Sequence, residues 1–399
     1  TSVCYQVKTS FGFIENFSFI YICVKWNIIH KVRYPPFDHH RWKAESVPII
    51  EEKVHTNLTT EQIKKRYPEF VIQSEEGWLL ERSFVSDDKE QWNGNPSVLL
   101  DESAFVNLVD QQRNGWYIIP NNLHSVARRL IHFAVILLLV TLTYLFIEPI
   151  LSVIGLPSLG TKSIRLGLLD YPILSIVVVP FLLMPLLLRM IANFMDLRKQ
   201  QEYFKNPAQS PIIELESQIQ SGESLRGKCI IPERREDWKS VSIHWHVGTL
   251  SPSRKALVEL SGRKLGEQPP VGLSTPLPHH WEEGLDDGTA GGEDAPMERQ
   301  DIPGGVFLRP MRFSEEGGEQ ILGEDGKFEL SPPPSRWPGS VNSELLRIHW
   351  ELILKIKRQN KMPLLWVMPI RVQFPISKVD LDDLVVNDSR TEHFFIGKR

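Results

Sequence analysis

Residues 345–359, LLRIHWELILKIKRQ, alternate between apolar and polar along almost their whole length. Leu346, Ile348, Trp350, Leu352, Leu354 and Ile356 share one parity. Arg347, His349, Glu351, Lys355 and Lys357 share the other, with Ile353 the exception. Successive side chains of a strand point to opposite faces, so the pattern predicts a β-strand with one buried and one wet face. On this reading Arg347, His349, Glu351, Lys355 and Lys357 form an exposed surface open to protein contacts.

The same texture extends on both sides. KSVSIHWHVGTL (239–250) alternates again, with Val241, Ile243, Trp245 and Val247 inward and Ser242, His244 and His246 outward. PIIELES (211–217), GESLRGKCIIP (222–232), KALVEL (255–260), GVFLRPMRF (305–313), GKFELSPPPS (326–335) and MPLLWVMPIRVQF (362–374) read as further strands between Gly and Pro punctuation. About eight strands in this order predict an antiparallel β-sandwich over residues 211–376. Inside it, residues 279–305 are acidic and Gly-rich, with too little apolar surface to offset the entropy of ordering, and are expected to be a mobile loop. Residues 377–399 read as a polar tail with one short apolar hook.

Two runs upstream belong to a different solvent. LIHFAVILLLVTLTYLFI (130–147) and YPILSIVVVPFLLMPLLL (171–188) carry no formal charge apart from His132. A helix needs about 20 apolar residues to span a bilayer, and both runs reach that with their flanks. The expected spans are about 130–149 and 171–192, within a hairpin over 126–196. Pro180 and Pro185 are tolerated in such helices. Arg128 and Arg129 precede the first span, and Arg189, Arg198, Lys199 and Lys205 follow or close the second. The intervening loop has only Lys162 and Arg165, offset by Glu148 and Asp170. Positive charge marks the cytoplasmic side, so both termini are expected there, in a plasma-membrane protein. Arg128, Arg129, Arg198 and Lys199 are the expected contacts to lipid head groups. Residues 197–210 read as a juxtamembrane helix and a Pro-containing link.

Residues 1–125 read as a small α+β region, or as elements that pack on the rest. Glu15 and Lys25 interrupt the apolar stretch 11–29, which is too short for a third span. LTTEQIKKRYPEF (58–70) predicts a helix capped by Thr59 or Thr60 and stopped at Pro68. EEGWLLERSF (75–84) and NGWYIIP (114–120) predict strands, and DESAFVNLVDQQRNG (101–115) a short helix. Asn57-Leu58-Thr59 has the glycosylation pattern but falls on the side expected to be cytoplasmic.

The whole chain has 399 residues, 42% hydrophobic and 24% charged, with a net charge of -4, which gives no general attraction to nucleic acid. Cys4, Cys23 and Cys229 are scattered and fit reduced thiols. The histidine pairs 39–40 and 279–280, and His244 with His246, have no further ligand at metal spacing. Asp286, Asp287, Glu293 and Asp294 do not follow a calcium-loop spacing. No nucleophile elbow, phosphate loop, dinucleotide fingerprint or HExxH is present. The expectation is a protein that is not an enzyme, with no cofactor, metal or nucleic-acid partner.

From residue 211 the order of motifs resembles the arrestin-like β-sandwich family, including its sporulation-control type. The residues that carry this are SGESLRGKCII (221–231), WKSVSIHWHVGT (238–249), GKFELSPPPSRWPGSVNSELLRIHWELILKIK (326–357) and MPLLWVMPIRV (362–372). The block with Pro334, Ser335, Gly339 and Trp350 is the most specific. The family's strand-ending Pro is displaced here to Ser331-Pro332, and the helix hairpin is not part of the usual arrangement. The resemblance implies a non-catalytic domain that binds tails of other proteins. The expected function is therefore a membrane-anchored adaptor or scaffold for other membrane or cytoplasmic proteins. The alternative is an accessory structural subunit of a transport or secretion complex.

Overall fold

In the computed structural model the described residues are 5–8, 19–22, 26–36, 39–56, 58–86, 113–155, 160, 162–252, 254–264, 308, 310–376 and 378–387. In chain order the elements begin with β1 (Tyr5–Lys8), β2 (Phe19–Ile22), β3 (Trp26–Arg33), β4 (Ile50–Thr56), α1 (Thr60–Arg66), β5 (Phe70–Gln73), β6 (Leu79–Ser86) and β7 (Gly115–Ile118). Next come α2 (Leu123–Val153), β8 (Ser163–Leu166), β9 (Leu169–Pro172) and α3 (Ile173–Lys205). The rest is β10 (Ile212–Leu215), β11 (Ile219–Gln220), β12 (Leu225–Ile230), β13 (Trp238–Thr249), α4 (Arg254–Leu260), β14 (Ser314–Ile321), β15 (Lys327–Leu330), β16 (Val341–Asn342), β17 (Arg347–Arg358), β18 (Lys361–Ile370), β19 (Val372–Gln373) and β20 (Val379–Leu381). Two compact units result: one from Thr1–Tyr117 with Gln209–Arg390, the other from Ile118–Ala208 with Thr391–Arg399.

The β unit is built around the opening stretch. β17 lies in a sheet of order β14-β13-β17-β18-β7, with β16 also paired to β17. Antiparallel register sets Val247 opposite Trp350, Trp245 opposite Leu352 and Ile243 opposite Leu354. Their shared face is the apolar one, and Trp245, Trp350, Leu352 and Leu354 are fully buried on it. A three-stranded sheet, β10-β12-β15, meets this face. Trp245 Nε1 donates to Ser331 O at 2.7 Å, and its ring lies 5.2 Å from that of Trp350.

Glycine makes that contact possible. His244 pairs with Glu319 and His246 with Glu316, so Gly317 and Gly318 together oppose Trp245 in a bulge. A Cβ on Gly317 would sit 1.9 Å from Trp245 Nε1. This strand, Ser314–Ile321, is not the one expected from residues 305–313. Its sequence SEEGGEQI has no apolar alternation, and the pairing is imposed by β13. KALVEL is likewise helical, within α4, rather than a strand. The run is too short for its periodicity to separate the two states, and buried Ala256, Leu257 and Val258 set the outcome by packing.

The motif block is structural. Glu315 accepts from Ser335 N and Oγ (2.9 and 2.6 Å) and from Trp337 Nε1 (3.1 Å). Trp350 Nε1 donates to Pro338 O at 3.1 Å. A Cβ on Gly339 would come within 2.6 Å of Phe374 N, so only glycine lets these two segments meet.

The N-terminal elements belong to this same unit. Their sheet has the order β20-β5-β6-β3-β4, and its β20 comes from the far end of the chain, pairing parallel with β5. The apolar hook in the tail is thus a sheet strand, with Val379 and Leu381 buried. The stretch 11–29 contributes β2 and the start of β3 in its described parts, not a helix. Thr59 caps α1 through a full capping box with Gln62. Of the helix expected at 101–115 only 113–115 are described, and these are not helical, Gly115 opening β7; the sequon Asn57, the acidic loop 279–305, His279, His280 and the tail beyond 387 lie outside the described residues.

In the other unit α2 and α3 pack along one narrow stripe. On α2 it is Ala127, Leu130, Ala134, Leu137, Thr141, Tyr144, Glu148 and Leu151, a strict three–four spacing. Beyond the half-buried first turn, Val178, Leu182, Pro185, Leu188, Ala192, Asp196, Lys199 and Tyr203 are the covered positions of α3 among the described residues. Both helices outrun the expected spans: α2 continues past Pro149, and the juxtamembrane segment is a direct continuation of α3. Between them β8 and β9 form a hairpin whose turn uses Gly167 at φ +67°, and every described side chain in it is exposed.

Candidate functional site

Two features stand out, one in each unit. The first is the surface of the helix pair. Both helices are long and apolar enough to cross a membrane, and only 6% of the most apolar stretch of α2 and 11% of that of α3 are buried. Among the described residues fourteen large apolar side chains of α2 and twelve of α3 are exposed. Burying one such side chain is worth about 1.5–3 kcal/mol, so water is a poor solvent for this pair. Thr141 and Thr143 hydroxyls donate to the carbonyls of Leu137 and Leu139, which satisfies them without water.

Polar groups sit at the two ends of the pair. Asp196 is buried and accepts from the Asn121 amide (3.1 Å), with His124 Nε2 at 2.9 Å and Lys199 Nζ at 2.8 Å. It ties the start of α2 to the end of α3, and its charge faces the positive end of the α2 dipole. At the other end Glu148 is buried and accepts from the Gly160 amide at 2.7 Å. Of the four expected lipid contacts, Arg129 and Arg198 are exposed, Arg198 resting over the Phe194 ring at 4.4 Å. Arg128 is half-buried, and Lys199 is engaged by Asp196. His132 is exposed, its Nδ1 3.2 Å from Arg128 O.

The second feature corrects the wet-face expectation for β17. Arg347, His349 and Glu351 are buried, Lys355 is half-buried, and only Lys357 is exposed. The alternation is real, but most of the polar parity meets protein instead of water. Arg347 Nε donates to Ser343 O at 3.0 Å. Arg113, in the segment entering β7, holds both oxygens of Glu351 at 2.8 and 2.9 Å. His246 Nδ1 lies 3.3 Å from Oε1 and His349 Nε2 3.2 Å from Oε2. His244 and His246, expected outward in solvent, are buried as well. Burial alone would raise the Glu351 carboxyl, but the Arg113 charge and the bonds from His246, His349 and Arg113 hold it well below the usual carboxylate range. His244 moves to about 4, through burial first and the neighbouring His246 second.

Three further groups went unread in the sequence. His30 and Arg82 are buried in the N-terminal sheet, where Arg82 Nε donates to His30 Nε2 and His30 Nδ1 faces Glu52, both at 3.0 Å. Burial lowers the His30 pKa despite Glu52. Their signal was parity: His30 stands between Ile28 and Val32 on the apolar side of β3, and Arg82 between Leu80 and Phe84 on β6. Arg312, fully buried, donates to Pro36 O and Asn387 O and meets His39 Nδ1 at 3.1 Å. Nothing in the local sequence marks it, because its partners come from both ends of the chain. Among the described residues no group of His, Cys, Asp and Glu is arranged to hold a metal. No family model and no curated protein matches this chain.

Proposed function

We propose that this chain is a membrane-anchored adaptor whose β unit, of arrestin-like type, binds other proteins beside the bilayer. The observation that carries this reading is the helix pair, whose apolar side chains face outward on nearly every side. Lipid is the solvent that suits such a surface. With Arg128, Arg129, Arg198 and Lys205 at one end of the pair, both termini belong to the cytoplasm of a plasma-membrane protein. Tethering raises the effective concentration of the β unit toward the tails of neighbouring membrane proteins.

Burial of the β17 face moves the binding surface elsewhere. The better place is β10, the edge of the three-stranded sheet, where no described strand pairs its outer side. Glu216 N donates to Arg226 O, and Cys229 N turns to Gly326 O. By alternation the backbone groups of Ile213 and Leu215 point away from β12, toward an incoming extended peptide. The shallow apolar groove on α2 lined by Leu139, Val140, Thr143, Tyr144, Ile147 and Leu151 favours a second reading, an accessory subunit that seats another helix there.

Topology is tested first. Cys4 and Cys23 are changed to Ser and Cys229, buried with its thiol pushed up to about 11 by that burial, to Ala. Leu168→Cys or Lys357→Cys is then introduced, and cells are treated with an impermeant maleimide. The expected result is that Leu168→Cys labels in intact cells and Lys357→Cys only after permeabilisation. The opposite pattern, or release of the chain by alkaline extraction, overturns the reading. Ile213→Pro removes one outward donor. It should weaken crosslinking of partners to a photoprobe at Ile212 while leaving membrane insertion unchanged. Crosslinks confined to a probe at Val140 favour the subunit reading.

A further inference from the structure

The two strands between the apolar helices leave an apolar face bare. β8 and β9 pair with each other and with no other described strand. Register sets Ile164 opposite Tyr171 and Arg165 opposite Asp170. Opposed residues share a face and alternate residues return to it, so Ile164, Leu169 and Tyr171 lie together. Ser163, Arg165 and Asp170 lie on the other face. The apolar side is open, with Ile164 47%, Leu169 61% and Tyr171 41% exposed. A lone two-stranded hairpin is marginal in water, so this face needs cover.

The hairpin has no slack. Pro172 ends β9 and Ile173 begins α3. Ile173 N donates to Lys162 O at 2.9 Å, which closes the base of the hairpin on the first helical residue. Its depth is therefore set by α3. That helix has 33 residues, about 50 Å at 1.5 Å per residue, whereas the hydrocarbon core takes only about 20. Charge decides which 20. Asp196, Arg198 and Lys199 belong outside hydrocarbon. A core that ends one turn before Asp196, at Ala192, begins about 20 residues earlier, at Ile173. Arg189 is exposed one turn inside that limit, and its long stem can carry the charge out to the head groups.

The hairpin thus stands at the opposite boundary, and its own chemistry suits that layer alone. The outer edges of both strands carry backbone groups that no described strand takes up, which bars them from the hydrocarbon core. The apolar face is equally unsuited to water. A tyrosine with its ring against aliphatic side chains and its hydroxyl at the rim fits the head-group level. The face also runs on into the outward surface of α3, where Val177, one turn beyond Ile173, is 53% exposed.

We propose that the β8–β9 hairpin is an interfacial lipid anchor: Ile164, Leu169 and Tyr171 rest on the acyl-chain boundary of the leaflet opposite Asp196, while Arg165 and Asp170 face phosphates and water. Leu168 stays at the turn, within reach of water. The inference rests on the bilayer reading of the helix pair and adds to it a depth stop for α3.

The test uses the full chain without its natural cysteines, in nanodiscs of phosphatidylcholine and phosphatidylglycerol. Single cysteines at 163, 164, 165, 169, 170 and 171, and Val140→Cys as the reference, each carry a nitroxide. Its relaxation by oxygen, which favours lipid, is compared with that by a water-soluble nickel chelate. The expected result is a period-two pattern: the oxygen-to-nickel ratio rises at 164, 169 and 171 and falls at 163, 165 and 170. The proposal is overturned if the six hairpin positions are equally open to nickel while Val140→Cys favours oxygen, because the helices are then in lipid and the hairpin is in water. It is also overturned if both agents are excluded from 164, 169 and 171, because protein, a second copy included, then covers the face. If Val140→Cys itself is open to nickel, the bilayer reading fails and takes this inference with it.

Discussion

In the helix pair Phe146 is 86% exposed while Asp196 is 4% exposed; in the β unit Trp350 and Glu351 are both fully buried, and Lys357 faces solvent. The two regions obey one rule for charge and opposite rules for apolar surface. In both, a buried carboxylate is surrounded by donors: Asn121, His124 and Lys199 around Asp196, and Arg113, His246 and His349 around Glu351. An unpaired charge is costly in any dry place, whatever lies outside it. Apolar side chains, by contrast, are placed in opposite ways in the two regions. The β unit buries Trp78, Trp245, Trp337 and Trp350 completely, while the helix pair turns its Leu, Ile, Val and Phe outward.

The comparison breaks most readily at the buried ion pair. Arg113→Ala leaves Glu351 without its cation in the interior, and the expected loss is about 3–5 kcal/mol. Urea denaturation of the detergent-solubilised chain, followed by tryptophan emission, measures it. Helical circular dichroism from α2 and α3 should persist past that transition, and simultaneous loss of both signals would mean the two regions are not separate in stability.

Next in size is Val140→Arg, at an exposed position midway along α2. If lipid surrounds α2, apparent insertion should worsen by about 3 kcal/mol. A glycosylation-tagged insertion assay reads this, and an unchanged inserted fraction would mean that something other than lipid covers the helix. Gly317→Ala should cost about 1–3 kcal/mol, since its Cβ meets the Trp245 indole and β13 must shift. The smallest effect belongs to Ile321→Arg in the β unit, where the side chain is 70% exposed. Its midpoint in urea should move by no more than about 0.5 kcal/mol. Arginine at Val140 and at Ile321 is thus one chemical change with two expected outcomes, and equal outcomes would erase the distinction between the regions.

Much of this organisation was legible. Period two over 345–357 gave β17, and the uncharged runs gave α2 and α3, because both signals are long and regular. The Thr59 cap and the apolar face of β13 were legible for the same reason. β14 was not, since SEEGGEQI owes its strand state to pairing with β13 and to glycine making room for Trp245. The packing stripe of the helices was written in the three–four spacing that carries Ala127 and Ala134, but it shows only once one face is known to meet α3. The wet face of β17 was misread for a definite reason. Alternation tells which residues share a face, and it does not tell whether water or another segment lies against that face.

The sequence alone therefore settled the long local periods: that 239–250 and 345–357 are strands, that two apolar runs are long helices, and which side chains share a parity. Those properties depend on neighbours a few residues away. Only the tertiary structure decided that Arg113 reaches Glu351 across 238 residues, that Arg312 joins Pro36 to Asn387, and that β20 closes the N-terminal sheet. Those contacts are set by topology and by the need of each buried polar group to find a partner, and the chain between the partners carries no mark of the meeting.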